Sequence, residues 1–537
     1  MLLGEGEENF TAFLLCLMGD QQYESVASLV YRSKGEICIT SMASRVSNFL
    51  GTASPYLDGT FDRLLQKYPG FFQMGMLETN RGCPFRCTFC DWSITRQVIE
   101  MPLDRVYQEI DWLIEHNFSN FCIIDANFGI RRRDHLIASY LAEQKTLHGK
   151  PSYCYFYLTK NNHSRNWETI ETFHKAGINC TVGLAVQDFD DDVLKAIKRD
   201  NIQSMETNML RNICAEKGIP TRNELILGLP KQSYQSFVGT LTKAMPAFPK
   251  HDFILFLCRL LDNTELANPE ERKTHQIQTR KCRWVSPKGE DHGIIDEYQE
   301  LIVSTSALPL ADWKRTYRFA NIASMGYNKY FLRSVFSILE QEWGISKQQF
   351  IEQLMSYMER ADRNTVMHQL WLQMERYIDS ILSEQAYQLP YFSQSDRPWE
   401  LDEALSITVL LNKTQFYTEL YHCTALLCSP ATHTKLKDLI HYQAALIPSQ
   451  QAAGTVQQFR WDWRSFEQTQ NVPISKHTQQ YTAVQPFYSS LPDSRLFVST
   501  YLSLMQARSI TTQQLSTMFV ELEPLNNQDH QTYEYVE

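Results

Sequence analysis

The chain has 537 residues, of which 43% are hydrophobic and 21% charged, and a net charge of −10. That length suits roughly two to four folded domains, and an acidic balance without a basic tract speaks against nucleic acid as a bulk partner. No apolar run reaches the roughly 18 residues of a membrane span, so a membrane is not expected.

Met1-Leu2-Leu3-Gly4-Glu5-Gly6-Glu7 lacks the basic start of a signal peptide. Thirteen cysteines without a regular framework suit a reducing, cytoplasmic compartment. Residues 1–60 stand apart from the rest of the chain, because strand–helix alternation begins only beyond them.

Gly75 to Thr79 reads as a first strand. A helix over about 103–117 follows, with Leu103, Val106, Ile110, Leu113 and Ile114 at helical spacing. Phe121-Cys122-Ile123-Ile124-Asp125 is the kind of short apolar run a parallel sheet buries. A helix near 133–146, a strand at Tyr153–Leu158 and a helix near 165–176 come next, the last closed by Gly177 as a C-cap. Cys180–Ala185 reads as the fourth strand, followed by helices at about 190–198 and 203–217. Glu224–Leu227 is the fifth, closed by Gly228-Leu229-Pro230. A helix near 233–246 and the strand Phe253–Leu257 complete six units. Repeated β-α units give a parallel sheet with right-handed crossovers. Six units are too few for a closed eight-unit barrel, so the fold class is α/β, a partial (β/α)6 barrel. Its active groups would gather at the C-terminal strand ends.

From about 290 the pattern becomes helical. Helices are expected at 294–305, 326–343, 347–360, 365–386 and 402–428, making 290–445 a helical domain. Residues 446–491 are rich in Gln, Ser, Thr and Pro and read as an irregular connection, and Leu496–Phe519 as a last amphipathic stretch.

The chemistry lies just after the first strand. Cys83, Cys87 and Cys90 have the spacing C-x3-C-x2-C with no fourth cysteine nearby. Thiolates are the usual ligands of a four-iron cluster, and three of them leave one iron open to a small molecule. A structural zinc site needs a fourth ligand. The nearest downstream histidine, His116, falls inside an expected helix, far from the usual spacing. Unliganded cysteines are usually buried small hydrophobes, whereas these stand among Arg, Gly, Pro and Thr in a loop.

The run from Glu78 to Trp92, Glu78-Thr79-Asn80-Arg81-Gly82-Cys83-Pro84-Phe85-Arg86-Cys87-Thr88-Phe89-Cys90-Asp91-Trp92, resembles the cluster loop of radical S-adenosylmethionine (SAM) enzymes. It is most similar to the class that carries a cobalamin-binding domain. The resemblance covers about residues 1–330. It implies a [4Fe-4S] cluster held by Cys83, Cys87 and Cys90, with SAM on the open iron. One electron, from a donor such as flavodoxin or ferredoxin, would cleave SAM to methionine and a 5′-deoxyadenosyl radical. The cofactor carries the hard chemistry and the protein supplies orientation.

The resemblance also implies site residues. Phe89 would lie against adenine, or simply anchor the loop. Asp125 and Asn127, in Asp125-Ala126-Asn127, would offer oxygens to the SAM ammonium; an Asx turn is the other use of such residues. Gln187, after the fourth strand, would face SAM. Lys160 and Glu224 hold matching positions near the barrel mouth or interior, and Glu224 needs a partner such as Arg222 or Lys160, as in a structural ion pair. Gly228 would let backbone approach adenine, unless its turn is only a tight one. Tyr153, Tyr155 and Tyr157 read as packing residues.

Gly4-Glu5-Gly6-Glu7 with Phe10 resembles the closing segment of the class's cobalamin domain, and Ser54-Pro55-Tyr56-Leu57 its linker to the barrel. The doubly wound sheet expected ahead of that segment has no counterpart here, and no D-x-H-x-x-G pattern occurs. Both departures count against cobalamin, leaving it a doubtful cofactor. The expected domains are a cobalamin-domain remnant and linker at 1–60, the barrel at 61–289, the helical domain at 290–445 and a terminal segment at 446–537. The expected function is radical SAM methylation of an unactivated carbon in a small molecule or peptide. A cobalamin-independent radical oxidation, rearrangement or epimerisation is the alternative, and a truncated, non-catalytic binding protein the third reading.

Overall fold

The structure is a computed structural model. It describes residues 1–19, 22–43, 51–94, 96–159, 163–199, 204–246, 252–284, 296–392, 398–449, 455–469, 474, 479–484, 497–498, 501–502 and 521–524. The chain divides into two compact units. The first comprises Met1–Pro84, Thr95–Thr159 and Glu171–Ile178, and the second Phe85–Ile94, Lys160–Ile170 and Asn179–Glu537.

The first unit opens with α1 (Glu7–Leu17), the hairpin β1 (Val30–Ser33) and β2 (Glu36–Ile39), and α2 (Thr60–Lys67). Then come β3 (Gly75–Leu77), β4 (Asn80–Arg81), β5 (Ile99–Glu100), α3 (Leu103–Glu115), β6 (Asn120–Phe128), α4 (Arg133–His148) and β7 (Tyr153–Leu158). Strands β3, β6 and β7 form a parallel sheet in that order. Helix α3 buries Val106, Ile110, Leu113 and Ile114. A Cβ on Gly75 would stand 2.6 Å from Leu113 Cδ2, so only bare backbone lets this helix approach β3. Gly75, Leu77, Phe121, Ile123 and Phe156 are buried on that side. On the other face Met76, Ile124 and Tyr157 remain exposed.

Helix α5 (His163–Ala176) leads into β8 (Val182–Gln187), α6 (Asp191–Ala196), α7 (Ser204–Glu216), β9 (Thr221–Leu227), α8 (Tyr234–Ala244) and β10 (Asp252–Leu257). In the second unit β8, β9 and β10 form a second three-stranded parallel sheet. The side-chain oxygen of Asp190 caps α6 through the N–H groups of Asp192 and Val193, and Ser233 and Ser236 cap α8 reciprocally. All six expected strands are present, alternating with helices as in a partial (β/α)6 fold. Strand β6 runs past Asp125 to Phe128, and β8 begins two residues later than expected.

The rest of the second unit comprises α9 (Pro269–Thr274), the antiparallel pair β11 (Gln278–Arg283) and β12 (Tyr298–Ser304), α10 (Leu310–Ala323), one π-helical turn at Ser324–Asn328, α11 (Arg333–Trp343), α12 (Lys347–Arg360), α13 (Val366–Leu382), the short pair β13 (Leu389–Pro390) and β14 (Pro398–Trp399), α14 (Leu401–Leu411), α15 (Lys413–Ala425) and α16 (His433–Ala445). Then β15 (Thr455–Phe459), α17 (Trp463–Thr469), β16 (Gln479–Val484) and β17 (Glu521–Pro524) complete the order, with β16 paired between the other two strands.

Here the local pattern misled in places. The stretch expected as helix at 294–305 holds strand β12. Its run Leu301-Ile302-Val303 is buried on both faces, a case in which periodicity does not separate helix from strand. Helix α10 went unforeseen, and the helix expected from 326 starts only at Arg333, after the π turn. The 402–428 pattern breaks at Asn412, which ends α14. Residues 446–491 contain strands as well as connection. The stretch Leu496–Phe519 lies outside the described residues except for 497, 498, 501 and 502.

Candidate active site

Four hydrogen bonds set the approach to the cysteine loop. Fully buried Asp125 accepts from Thr79 N (2.7 Å), Thr79 Oγ1, Asn80 N (3.1 Å) and Asn80 Nδ2 (2.6 Å). Burial pushes its carboxyl up to about 7 against those stabilising donors. Asp125 is thus occupied in fastening the segment that leads to Cys83. On the same segment Arg81 meets Glu78 (2.7 Å), Glu7 (2.6 Å) and Glu5 (3.7 Å). The Gly4-Glu5-Gly6-Glu7 run is therefore bound electrostatically two residues ahead of Cys83.

Asn127 lies at the end of β6, buried. Its Nδ2 donates to Cys83 Sγ at 3.2 Å, and its Oδ1 is buried without a partner. A buried carbonyl oxygen without a donor is costly, and an incoming N–H group would relieve it. Just beyond, Asp134 Oδ2 accepts from Gly129 N and Arg131 N, each at 2.9 Å. Burial pushes that carboxyl up to about 6.

In the second unit, Cys87 and Cys90 flank Thr88 and Phe89. The turn is held by Cys90 N to Cys87 O (3.1 Å), Thr88 N to Ile197 O (3.1 Å) and Leu266 N to Thr88 O (2.8 Å). Phe89 packs against the apolar group of Val193, Leu194, Ile197 and Leu229. Arg199, to which no motif in the sequence pointed, donates from Nη1 to Cys87 Sγ at 3.5 Å. Burial lowers its pKa, while Cys87, Cys90 and Glu224 favour its charged form. Glu224 therefore has Arg199 as an electrostatic partner. Arg222, expected in that role, stands 4.0 Å from Asp252. Glu224 faces the small residue Gly183, where a Cβ would stand 3.9 Å from Glu224 Oε1.

Gln187 ends β8 with φ +66°, an uncommon conformation for a residue with a side chain. It is buried, and its Oε1 has no partner. Strain together with an open buried acceptor at a strand end is a pointer to function. The next residue, Asp188, accepts from Thr240 Oγ1 (2.5 Å) and Gln232 Nε2 (2.6 Å), and Gln232 Oε1 accepts from Gly228 N (2.7 Å). This buried chain fixes the turn at Gly228. Gly228 has φ +106°, and a Cβ there would lie 3.1 Å from Ile302 O and 3.3 Å from Cys258 Cβ. Lys160 lies outside the described residues.

All three cysteines are free of disulfides. Three thiols in one loop, two of them receiving side-chain N–H donors, match the donor chemistry and the sulfur hydrogen bonding of an iron–sulfur cluster. Among the described residues no helix is long and apolar enough to cross a membrane.

The Radical SAM superfamily profile matches residues 77–244. The chain is 30% identical over 460 residues to the cobalamin-dependent radical SAM methyltransferase TokK of Streptomyces tokunonensis, an alignment covering 82% of this chain and 67% of that one. It is 29% identical over 491 residues to the 2-(S-pantetheinyl)-carbapenam-3-carboxylate methyltransferase of Streptantibioticus cattleyicolor, covering 86% and 71%. The structure of the cobalamin-dependent SAM radical enzyme OxsB with aqua-cobalamin bound is similar at 13% identity and a TM-score of 0.46, covering 82% of this chain and 67% of that one. The chain is a radical SAM enzyme, a member of the radical SAM superfamily in the class associated with cobalamin-binding domains.

Proposed function

We propose that this enzyme transfers a methyl group to an unactivated carbon of a small molecule or peptide. It would use a [4Fe-4S] cluster on Cys83, Cys87 and Cys90, SAM, and cobalamin. When bound, the cluster and SAM supply a radical that abstracts hydrogen from carbon, and the corrinoid supplies the methyl group. The observation that carries the reading is the loop of three disulfide-free cysteines, Cys83, Cys87 and Cys90, two of whose sulfurs accept side-chain N–H groups.

This chain's own residues hold, orient and tune. Asn127 and Arg199 donate hydrogen bonds to the sulfurs of Cys83 and Cys87, as outer partners of cluster ligands do. Asn127 Oδ1 and Gln187 Oε1 would accept N–H groups of SAM. By the resemblance Phe89 and Glu224 would belong to the same SAM site, with Gly228 leaving room for a close approach, while Asp125 braces the segment ahead of Cys83. Lys160 keeps its proposed place near the site from the resemblance alone. Cobalamin is favoured by the kinship with TokK, and the ion pairs of Glu5 and Glu7 with Arg81 support a role for the Gly4-Glu5-Gly6-Glu7 run near Cys83. A flavodoxin or ferredoxin would deliver the electron in a cytoplasmic setting.

The test is anaerobic reconstitution with iron, sulfide and hydroxocobalamin, then incubation with a low-potential reductant and SAM deuterated on its methyl group. 2-(S-pantetheinyl)-carbapenam-3-carboxylate, named for the relative's activity, is the first substrate to try. Deuterated methyl in a product, together with 5′-deoxyadenosine, is expected. A protein that forms 5′-deoxyadenosine but retains no corrinoid and moves no label would overturn methyl transfer.

A further inference from the structure

The second unit encloses a cavity of about 440 Å³ along the outer edge of β10. That volume lies in the range of small-molecule sites, about 300–1,000 Å³. A π-helical turn borders it with Ser324 and Asn328, and such turns are frequent at functional sites.

Among the described residues strand β10 is paired on one side only, with β9. In a parallel ladder alternate residues turn their backbone groups to opposite neighbours. Cys258 N donates to Leu227 O on β9, so Leu257, Leu255 and Phe253 face outward. Phe253 has both groups satisfied: its N–H donates to Asn328 Oδ1 (3.1 Å) and its carbonyl accepts from Asn328 Nδ2 (2.7 Å). The Asn328 carboxamide thus makes a two-point amide pairing on the strand edge. Two residues on, Leu255 has the same orientation and lines the cavity. Among the described residues no strand pairs with it there. The edge closes beyond it, where Arg259 bridges Leu301.

The cavity's polar groups suit the ends of such a ligand. Arg259 Nη2 reaches the Tyr387 hydroxyl at 3.4 Å. Glu400 lines the cavity as an exposed residue, accepts from Gln388 Nε2 at 3.1 Å and forms a capping box with Glu403 at the start of α14. Asp402 and Glu403 nearby raise the pKa of its carboxyl.

We propose that this cavity binds an extended chain of secondary amides. The chain would pair with the free edge of β10 at Leu255, its polar ends held by Glu400 and by Arg259 with Tyr387. Pairing to a strand edge supplies affinity through main-chain bonds. That the chain is an arm of the substrate rests on the methyl-transfer reading; its binding does not.

The experiment is calorimetry on the full chain without SAM, so the result is independent of turnover. Two probes are used, N-acetyl-alanyl-alanine N′-methylamide and pantetheine, each beside its N-methylated tertiary-amide analogue. At least one probe should bind, and its analogue about tenfold more weakly, because a strand acceptor loses its donor. Glu400→Gln and Arg259→Met should each weaken the bound probe, with melting curves showing that the variants fold. Binding of only the peptide or only pantetheine identifies the kind of arm. Absence of binding by both probes, equal binding of the N-methylated analogue, or unchanged affinity in both variants would each overturn the proposal. If a variant does not fold, the comparison of analogues on the unaltered protein still decides.

Discussion

Cysteine spacing is a local property, and Cys83, Cys87 and Cys90 could be singled out from eight consecutive residues. What steadies each sulfur could not. Arg199 lies 112 residues from Cys87, and Asn127 lies 44 from Cys83. Replacing Cys87 by Ser should cut the iron retained after reconstitution to a small fraction of the parent value, measured colorimetrically with the protein still folded. Asp125 shows the opposite case, a polar residue inside β6 whose four acceptor contacts fasten the segment leading to Cys83. Asp125→Asn turns an amide donor toward existing donors and should cost about 2 kcal/mol, read from a lowered denaturant midpoint at unchanged slope. The sign of the pH effect comes from the raised pKa. Folded Asp125 holds its proton to about 7, against 3.8 as the ordinary value. Its protonation therefore adds stability that is complete below about pH 4 and lost as pH rises through about 7. The gap between parent and Asp125→Asn should accordingly be wider at about pH 5 than at about pH 8. A constant gap would show that Asp125 stays ionised in both states.

At the scale of elements, the turn after β9 is the most constrained feature. Gly228 combines a positive φ with backbone and side-chain neighbours already at contact distance. Gly228→Ala should cost about 1–3 kcal/mol in unfolding free energy. Gly228 could be noted in the sequence as part of a turn. Its need for glycine comes from Ile302 and Cys258, on elements far along the chain. The parallel strands were legible because each is a short apolar run between turn residues and amphipathic helices. β7, the run Tyr153–Leu158, was found with its bounds. β12 was not, because an apolar run buried on both faces carries no period. Helix α12 was legible for the converse reason: Phe350, Leu354 and Met358 recur at helical spacing, and all three are buried.

For the whole molecule, acidity and the absence of a basic tract bear on partners, not on fold. Helix α1 leaves Leu14 42% and Leu17 58% exposed, with Met18 just beyond it 74% exposed. Isolated exposed side chains contribute little to folding, so Leu17→Glu should change stability by less than about 0.5 kcal/mol, read from the same denaturant curve. A larger loss would mean that this face is covered in solution.

The sequence by itself determined the cluster motif, the six alternating strands and the helical character of the later half. Each is written in residues close together along the chain, at spacings set by backbone geometry. Only the tertiary structure decided which polar groups remain open, which are consumed by structure, and where the edge of β10 meets a cavity. Those outcomes depend on hydrogen bonds between residues tens to more than a hundred positions apart, and local periodicity carries no record of them.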